Sequence, residues 1–175
     1  MQRDPKHSVS TTEIVEEEER KTLALALIHQ QRTMVLATAA DGAPWAAPVY
    51  FVYHAPGFYF FSSPRARHVE EGLGADVVAA SIFADSDQWD QIQGLQMSGR
   101  LQWVQKKTKK IAISARFILK FPFAEPFLRS GQEVKRPRAT PDIANRVQLY
   151  MFEPSEVYYL NNRLGFGQRI PMALT

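Results

Sequence analysis

The residues with the most chemistry in one place are Phe60-Phe-Ser-Ser-Pro-Arg-Ala-Arg-His-Val-Glu-Glu71. Two hydroxyls (Ser62, Ser63), two guanidinium groups (Arg65, Arg67) and the imidazole of His68 sit almost side by side there. A strand-like aromatic run ends at Ser62, Ser63 is a good N-cap, and Pro64 suits the first position of a helix. Free backbone N–H groups at such a helix start, with hydroxyls and cations within one turn, make an anion site, and phosphate is the natural occupant. The same residues admit a purely structural reading, in which Ser63 only caps the helix and the arginines pair with Glu70, Glu71 or solvent.

Other chemistries are excluded or unsupported. The 175 residues include no Cys, so disulfides, thiolate nucleophiles, Cys-ligated zinc and iron–sulfur clusters are absent. His7, His29, His54 and His68 lack metal-ligand spacing, and Asp85, Asp87 and Asp90 do not match an EF-hand loop. No Gly-x-Ser-x-Gly, Walker or Rossmann Gly-rich fingerprint is present.

At 45% hydrophobic and 22% charged residues the chain can build a real core. Its length suits one domain over residues 11–175, behind a polar tail at 1–10. No N-terminal run reads as a secretory signal, and nothing approaches the roughly 20 apolar residues needed to span a bilayer. The expectation is a cytoplasmic protein with no membrane partner. The net charge of +3 is uneven: residues 1–100 carry 8 Lys or Arg against 13 Asp or Glu, and residues 101–175 carry 13 against 5. The basic clusters, Lys106 to Lys110 and Lys135 to Arg138, are read as a solvated helix face and a loop. No nucleic acid is expected as a partner, because no aromatic-and-basic module accompanies them.

The elements that must position the anion site are short strands. Ser10 and Glu13 have capping-box spacing, starting a helix to about Gln31 with Leu23, Leu27 and Ile28 as its apolar stripe. Thr33–Ala39 and Trp45–Tyr53 read as strands joined at an Asp41-Gly42 hairpin turn. Phe58–Ser62, Val77–Ala84 and Leu95–Gln105 read as further strands. Lys106–Phe121 has Ile111, Ala115, Ile118 and Leu119 at helical spacing, with Pro122 ending it. Ser130–Asp142 reads as a surface loop, and Arg146–Glu153 and Glu156–Asn161 as two strands broken by Pro154. The fold class is mainly β with peripheral α: an antiparallel domain of about six strands. Val49–Tyr53 and Phe58–Phe61 are apolar at every position, so both faces of those strands need a cover. A helix of the same chain is expected on one side and a second subunit on the other, making a homodimer.

Together with its flanks, the stretch resembles the pyridoxamine 5′-phosphate oxidase-like family of FMN-binding split barrels. The residues that carry the resemblance are the Asp41-Gly42 turn, Ala46-Ala-Pro-Val-Tyr-Phe51, Phe58-Tyr-Phe-Phe-Ser-Ser-Pro-Arg-Ala-Arg-His68, Ile92-Gln-Gly-Leu-Gln-Met-Ser-Gly99 and Leu164-Gly-Phe-Gly-Gln-Arg169. The last of these looks like the ending of a small bacterial branch. The resemblance covers roughly residues 20–172 and implies a six-stranded Greek-key split barrel that dimerises and binds FMN in two clefts at the subunit interface.

Position by position, it implies that Arg67 and Ser62 meet the phosphate, with His68 standing where a lysine is common. Ala47, Pro48, Val49 and Tyr50 line the isoalloxazine ring, and Gln96 stands near a flavin-contacting glutamine. Tyr159 and Arg169, ten residues apart, match a tryptophan and an arginine that reach across the interface. Three positions depart from the true oxidase: Gly165 and Gly167 replace a substrate-holding arginine and histidine, and Phe51 replaces a lysine. Each lost charge-assisted bond is worth roughly 1.5–3 kcal/mol, so vitamin B6 oxidation is not expected. The glycines either leave room beside the flavin or serve unusual backbone angles. The function expected is that of an FMN protein passing reducing equivalents between NADH or NADPH and a small acceptor. The alternative is a binding protein that holds flavin, haem or another ligand for storage or sensing.

Overall fold

Asp41 and Gly42 both hold positive φ, 50° and 77°, as a two-residue hairpin whose twist matches its strands requires. The turn joins β1 (Thr33–Ala40) to β2 (Ala43–Tyr50) in the computed structural model, which describes residues 11–128 and 147–174. The expected tail, the Ser10 cap and the Ser130–Asp142 loop lie outside the described residues. The other strands are β3 (Val52–His54), β4 (Gly57–Ser62), β5 (Val78–Phe83), β6 (Gln93–Trp103), β7 (Gln148–Asn161) and β8 (Arg169–Pro171). They form one antiparallel sheet in the order β2-β1-β5-β6-β7-β4-β3, with β8 added on β7. Helices α1 (Thr11–Gln30), α2 (Arg67–Gly74), α3 (Lys107–Lys120) and α4 (Glu125–Leu128) lie around it. The architecture is that of a curled, split-barrel β domain with peripheral helices.

The curl has a specific cause. The expected strand Trp45–Tyr53 divides in two: β2 lies at one edge of the sheet, β3 pairs β4 at the other, and only Phe51 stands between them. Phe51 is fully buried, and its N–H donates to the Arg32 carbonyl at 3.2 Å. Its side chain anchors the bend in the core between α1 and the sheet, with Leu27, Ile28, Leu36, Phe58 and Phe60.

The bend also explains the continuous apolar run. Val49 and Phe51 face the main core, Val52 faces a second one, and Tyr50 is exposed. In β4, Phe58 and Phe60 enter the main core, whereas Tyr59 packs with Ile113, Phe117 and Leu149 beneath α3. Both faces of β4 are therefore covered by this chain itself, and the strand gives no reason to require a second subunit.

Three expected elements differ. Among the described side chains of α1 the buried ones are Ala24, Leu27 and Ile28, while Leu23 is exposed. α3 turns Ile113 and Phe117 inward instead of Ile111, Ala115 and Leu119, because a helix apolar on two sides lets the sheet choose between them. β7 runs unbroken through Pro154. There β7 has β6 on one side only, since pairing with β4 ends at Phe152 and pairing with β8 starts at Tyr158, so a missing N–H is tolerated. Opposite Pro154, Gly99 ends a register shift in β6, and a Cβ there would collide with the Glu153 carbonyl.

Candidate functional site

Ser62 ends β4, and one turn of chain returns His68 to it: Ser62 Oγ and His68 Nε2 lie 2.9 Å apart. Burial holds the His68 imidazole below its ordinary range and so favours its uncharged form, which either accepts the Ser62 proton or donates its own. This pair lines a cleft of about 300 Å³. The walls are Pro48, Val49 and Tyr50 of β2, Phe61 of β4, Phe117 of α3, and Phe123, Phe127 and Leu128 just beyond it. Tyr50 meets Phe123 edge-on at 5.3 Å and Phe121 at 5.2 Å. A cleft lined by aromatic rings and a hydroxyl–imidazole pair suits a planar ligand carrying a polar or anionic tail.

The turn before α2 departs from the expected cap. Ser63 Oγ accepts the Arg65 N–H at 3.2 Å and the Ser63 carbonyl accepts the Ala66 N–H at 3.0 Å. These bonds close a turn over Pro64, so α2 starts only at Arg67, with Ala66 as an N-cap that has no side-chain bond. Arg65 is exposed on that turn.

Arg67 does not line the cleft. Its Nε donates to Glu71 Oε1 at 2.6 Å, a terminal nitrogen donates to the Ala43 carbonyl at 3.4 Å, and its guanidinium stacks on Trp45 at 4.7 Å. The other Glu71 oxygen accepts the hydroxyl of buried Thr38 at 2.5 Å. Thr38, and then Arg67, hold the Glu71 carboxyl below the usual carboxylate range. In this state the pairing reading of the arginine is the one realised.

The remaining sequence-derived residues divide. Pro48, Val49 and Tyr50 line the cleft, but Ala47 is buried toward the interior. Gln96 and Arg169 meet on the exposed side of the sheet, where Arg169 Nε donates to Gln96 Oε1 at 2.8 Å. Tyr159 lies in the chain's own core: its hydroxyl donates to Gln93 Oε1 at 3.3 Å and accepts from Asn161 Nδ2 at 3.1 Å. The tyrosine exposed opposite Gln96 is Tyr158. Gly167 holds φ of 68°, so backbone geometry accounts for that glycine.

Sequence reasoning missed the wall formed by Phe117, Phe123 and Phe127. Its one signal was the aromatic-rich run Phe121-Pro-Phe-Ala-Glu-Pro-Phe127. It also missed Lys120, whose Nζ donates to the Gln31 carbonyl at 2.6 Å and sits 4.3 Å from the Phe51 ring centre. Burial, and then Arg32, lower this lysine to about 8. Among the described residues no cluster of His, Asp and Glu could hold a metal, and no helix is long and apolar enough to cross a membrane.

The family model for pyridoxamine 5′-phosphate oxidase matches residues 21–161. No curated protein sequence matches the chain. Among solved structures, a Listeria innocua protein named as a candidate pyridoxamine 5′-phosphate oxidase is 16% identical, with a TM-score of 0.61 over 81% of this chain and 98% of its own. A haem storage protein from Vibrio cholerae is 18% identical, with a TM-score of 0.60 over 78% and 91%. An FAD-binding protein from Mesorhizobium loti is 14% identical, with a TM-score of 0.58 over 78% and 90%. At these identities the likeness is one of fold. The family match spans most of the chain, and with the curled sheet it establishes that this chain belongs to the pyridoxamine 5′-phosphate oxidase family.

Proposed function

We propose that this chain binds FMN in the Ser62–His68 cleft as a homodimer and passes reducing equivalents between NADH or NADPH and a small acceptor. The observation that carries the reading is the cleft itself, with its aromatic walls and its hydroxyl–imidazole pair. Its volume is at the low end for ligand sites, as expected of half a site completed by a second copy. The outer face of β1, β2 and β5 supports that copy: Val35, Ala37, Ala46, Pro48, Ala79 and Phe83 lie there, small or apolar and at least partly exposed.

The residues present fit the cofactor. Pro48, Tyr50 and Phe123 would hold the ring system, while Ser62 and His68 would meet the phosphate, with Arg65 near. Arg67 would reach the phosphate only by leaving Glu71. Bound FMN supplies the hydride and single-electron chemistry, and this chain positions it and keeps water from its ring. At the three positions where the resemblance expects groups that hold a phosphorylated substrate, this chain offers none: Phe51 is in the core, and Gly165 and Gly167 carry no hydrogen-bonding side chain. Pyridoxamine phosphate is accordingly not the substrate of this reading.

A second reading, haem or flavin storage without turnover, is favoured by one feature: His68 presents a neutral imidazole to the cleft, and such a nitrogen can ligate iron. The absorbance spectrum of freshly purified protein separates the two. Flavin bands that bleach on adding NADH or NADPH support the first reading, and flavin bands that do not bleach, or a Soret band on adding haem, support the second. A colourless protein indifferent to both ligands overturns both.

A further inference from the structure

A helix lying on a sheet needs one apolar face, and α3 has two. Ile113 and Phe117 are buried against the sheet. The opposite face carries Ile111, Ala115 and Leu119, spaced four apart, so they form a single ridge along the helix. Ile111 is 62% exposed and Leu119 85% exposed. Among the described residues, α3 packs against β3, α4 and the turn at Pro122–Ala124, all away from this ridge.

The charge on the same helix has one sign. Lys107, Lys109, Lys110, Arg116 and Lys120 lie on α3, and no Asp or Glu does. Helical geometry sets exposed Lys107 and Arg116 on the two flanks of the ridge. Trp103, just before the helix, is exposed as well.

A polyanion such as RNA would use the cations but gain little from an aliphatic ridge. An anionic bilayer surface uses both: apolar side chains enter the boundary between headgroups and acyl chains, while flanking Lys and Arg extend their stems to the phosphates. We propose that α3 docks this protein on an anionic lipid surface, with the Ile111–Ala115–Leu119 ridge entering the bilayer boundary and Lys107 and Arg116 meeting the headgroup phosphates. The expectation of no membrane partner rested on the lack of a spanning segment, which does not bear on a helix lying flat on the surface. The inference is independent of what the cleft binds.

The test is co-sedimentation of the full chain with vesicles of phosphatidylcholine and phosphatidylglycerol, against vesicles of phosphatidylcholine alone. Expected is binding to the anionic vesicles only, weakened by high salt. Leu119→Glu and, separately, Ile111→Glu should each lower the partition coefficient about tenfold or more with an unchanged thermal melt, both sites being exposed. If a glutamate variant melts early, Leu119→Ser takes its place. Lys107→Gln should cost about fivefold, the equivalent of ~1 kcal/mol per cation near an anionic surface. Three results overturn the proposal: no binding of the parent chain to anionic vesicles, binding that Leu119→Glu and Ile111→Glu leave intact, or a vesicle-free oligomer that dissociates on Leu119→Glu, which would give the ridge to a second copy.

Discussion

Arg67 Nε lies 2.6 Å from Glu71 Oε1, one turn on along α2, and this carboxylate is the competitor of any anion that Arg67 would bind. Glu71 is itself fixed from the other side by Thr38. The arginine thus ties α2 to Trp45 and Ala43 at the β1–β2 hairpin. Recruiting it to a ligand means breaking that tie.

Glu71→Gln should therefore raise FMN affinity relative to riboflavin by up to about 1.5 kcal/mol, the scale of one charge-assisted hydrogen bond. Gln keeps an acceptor for Thr38 and loses the charge. Flavin-fluorescence titration of both ligands measures the ratio. A ratio unchanged from the parent would mean that Arg67 never turns to the phosphate.

Lys120 carries a pH signature. Its folded-state value of about 8 lies below the 10.5 of an ordinary lysine. Between these values the unfolded chain holds more protons, so the Lys120 contribution to folding stability rises as pH climbs through that window. Thermal melts of parent and Lys120→Met at neutral pH and near pH 10 should show the difference in Tm moving in the parent's favour at the higher pH. A difference that stays constant would remove the titration of Lys120 from the stability profile.

Gly99→Ala should destabilise by about 1–3 kcal/mol, the range for forced overpacking. The added methyl meets the backbone of Glu153 and Pro154, which belong to a paired strand and cannot swing aside as a side chain would. The urea midpoint measures this, and an unshifted midpoint would show that the bulge relaxes freely.

In the proposed homodimer, Ala79→Arg should force the subunits apart and lower flavin retention. Ala79 is exposed and stands opposite Ala37 of β1, in the middle of the open outer face, where a guanidinium would be forced between two apolar surfaces. Light scattering after gel filtration gives the mass, and a dimer that survives would place the subunit contact elsewhere.

What the sequence revealed depended on how local the cause was. The Asp41-Gly42 turn was readable because two successive positive φ angles restrict the residue types. Ser62 and His68 were readable as neighbours because one turn of chain joins them. The family resemblance rested on such local runs, and the family match over residues 21–161 bears it out. The aromatic wall was not readable, since Phe117, Phe123 and Phe127 reach the cleft only through the docking of α3 on β4. Tyr159 shows a different limit: side chains alternate across a strand, so one position decides between core and surface, and spacing alone did not separate Tyr158 from Tyr159. In α3 the periodicity was correct but two-sided, and only packing selected Ile113 and Phe117 as the inner set.

The bend at Phe51 couples parts of the molecule that look unrelated. One lip of the cleft, Pro48 to Tyr50, belongs to the strand just before the bend, and the other, Phe61 and Ser62, to the hairpin just after it. The aperture between the lips is therefore set by a pivot of one residue, itself wedged under Lys120 and tethered to Arg32. A substitution at that pivot, out of reach of any ligand, would retune how wide the mouth stands.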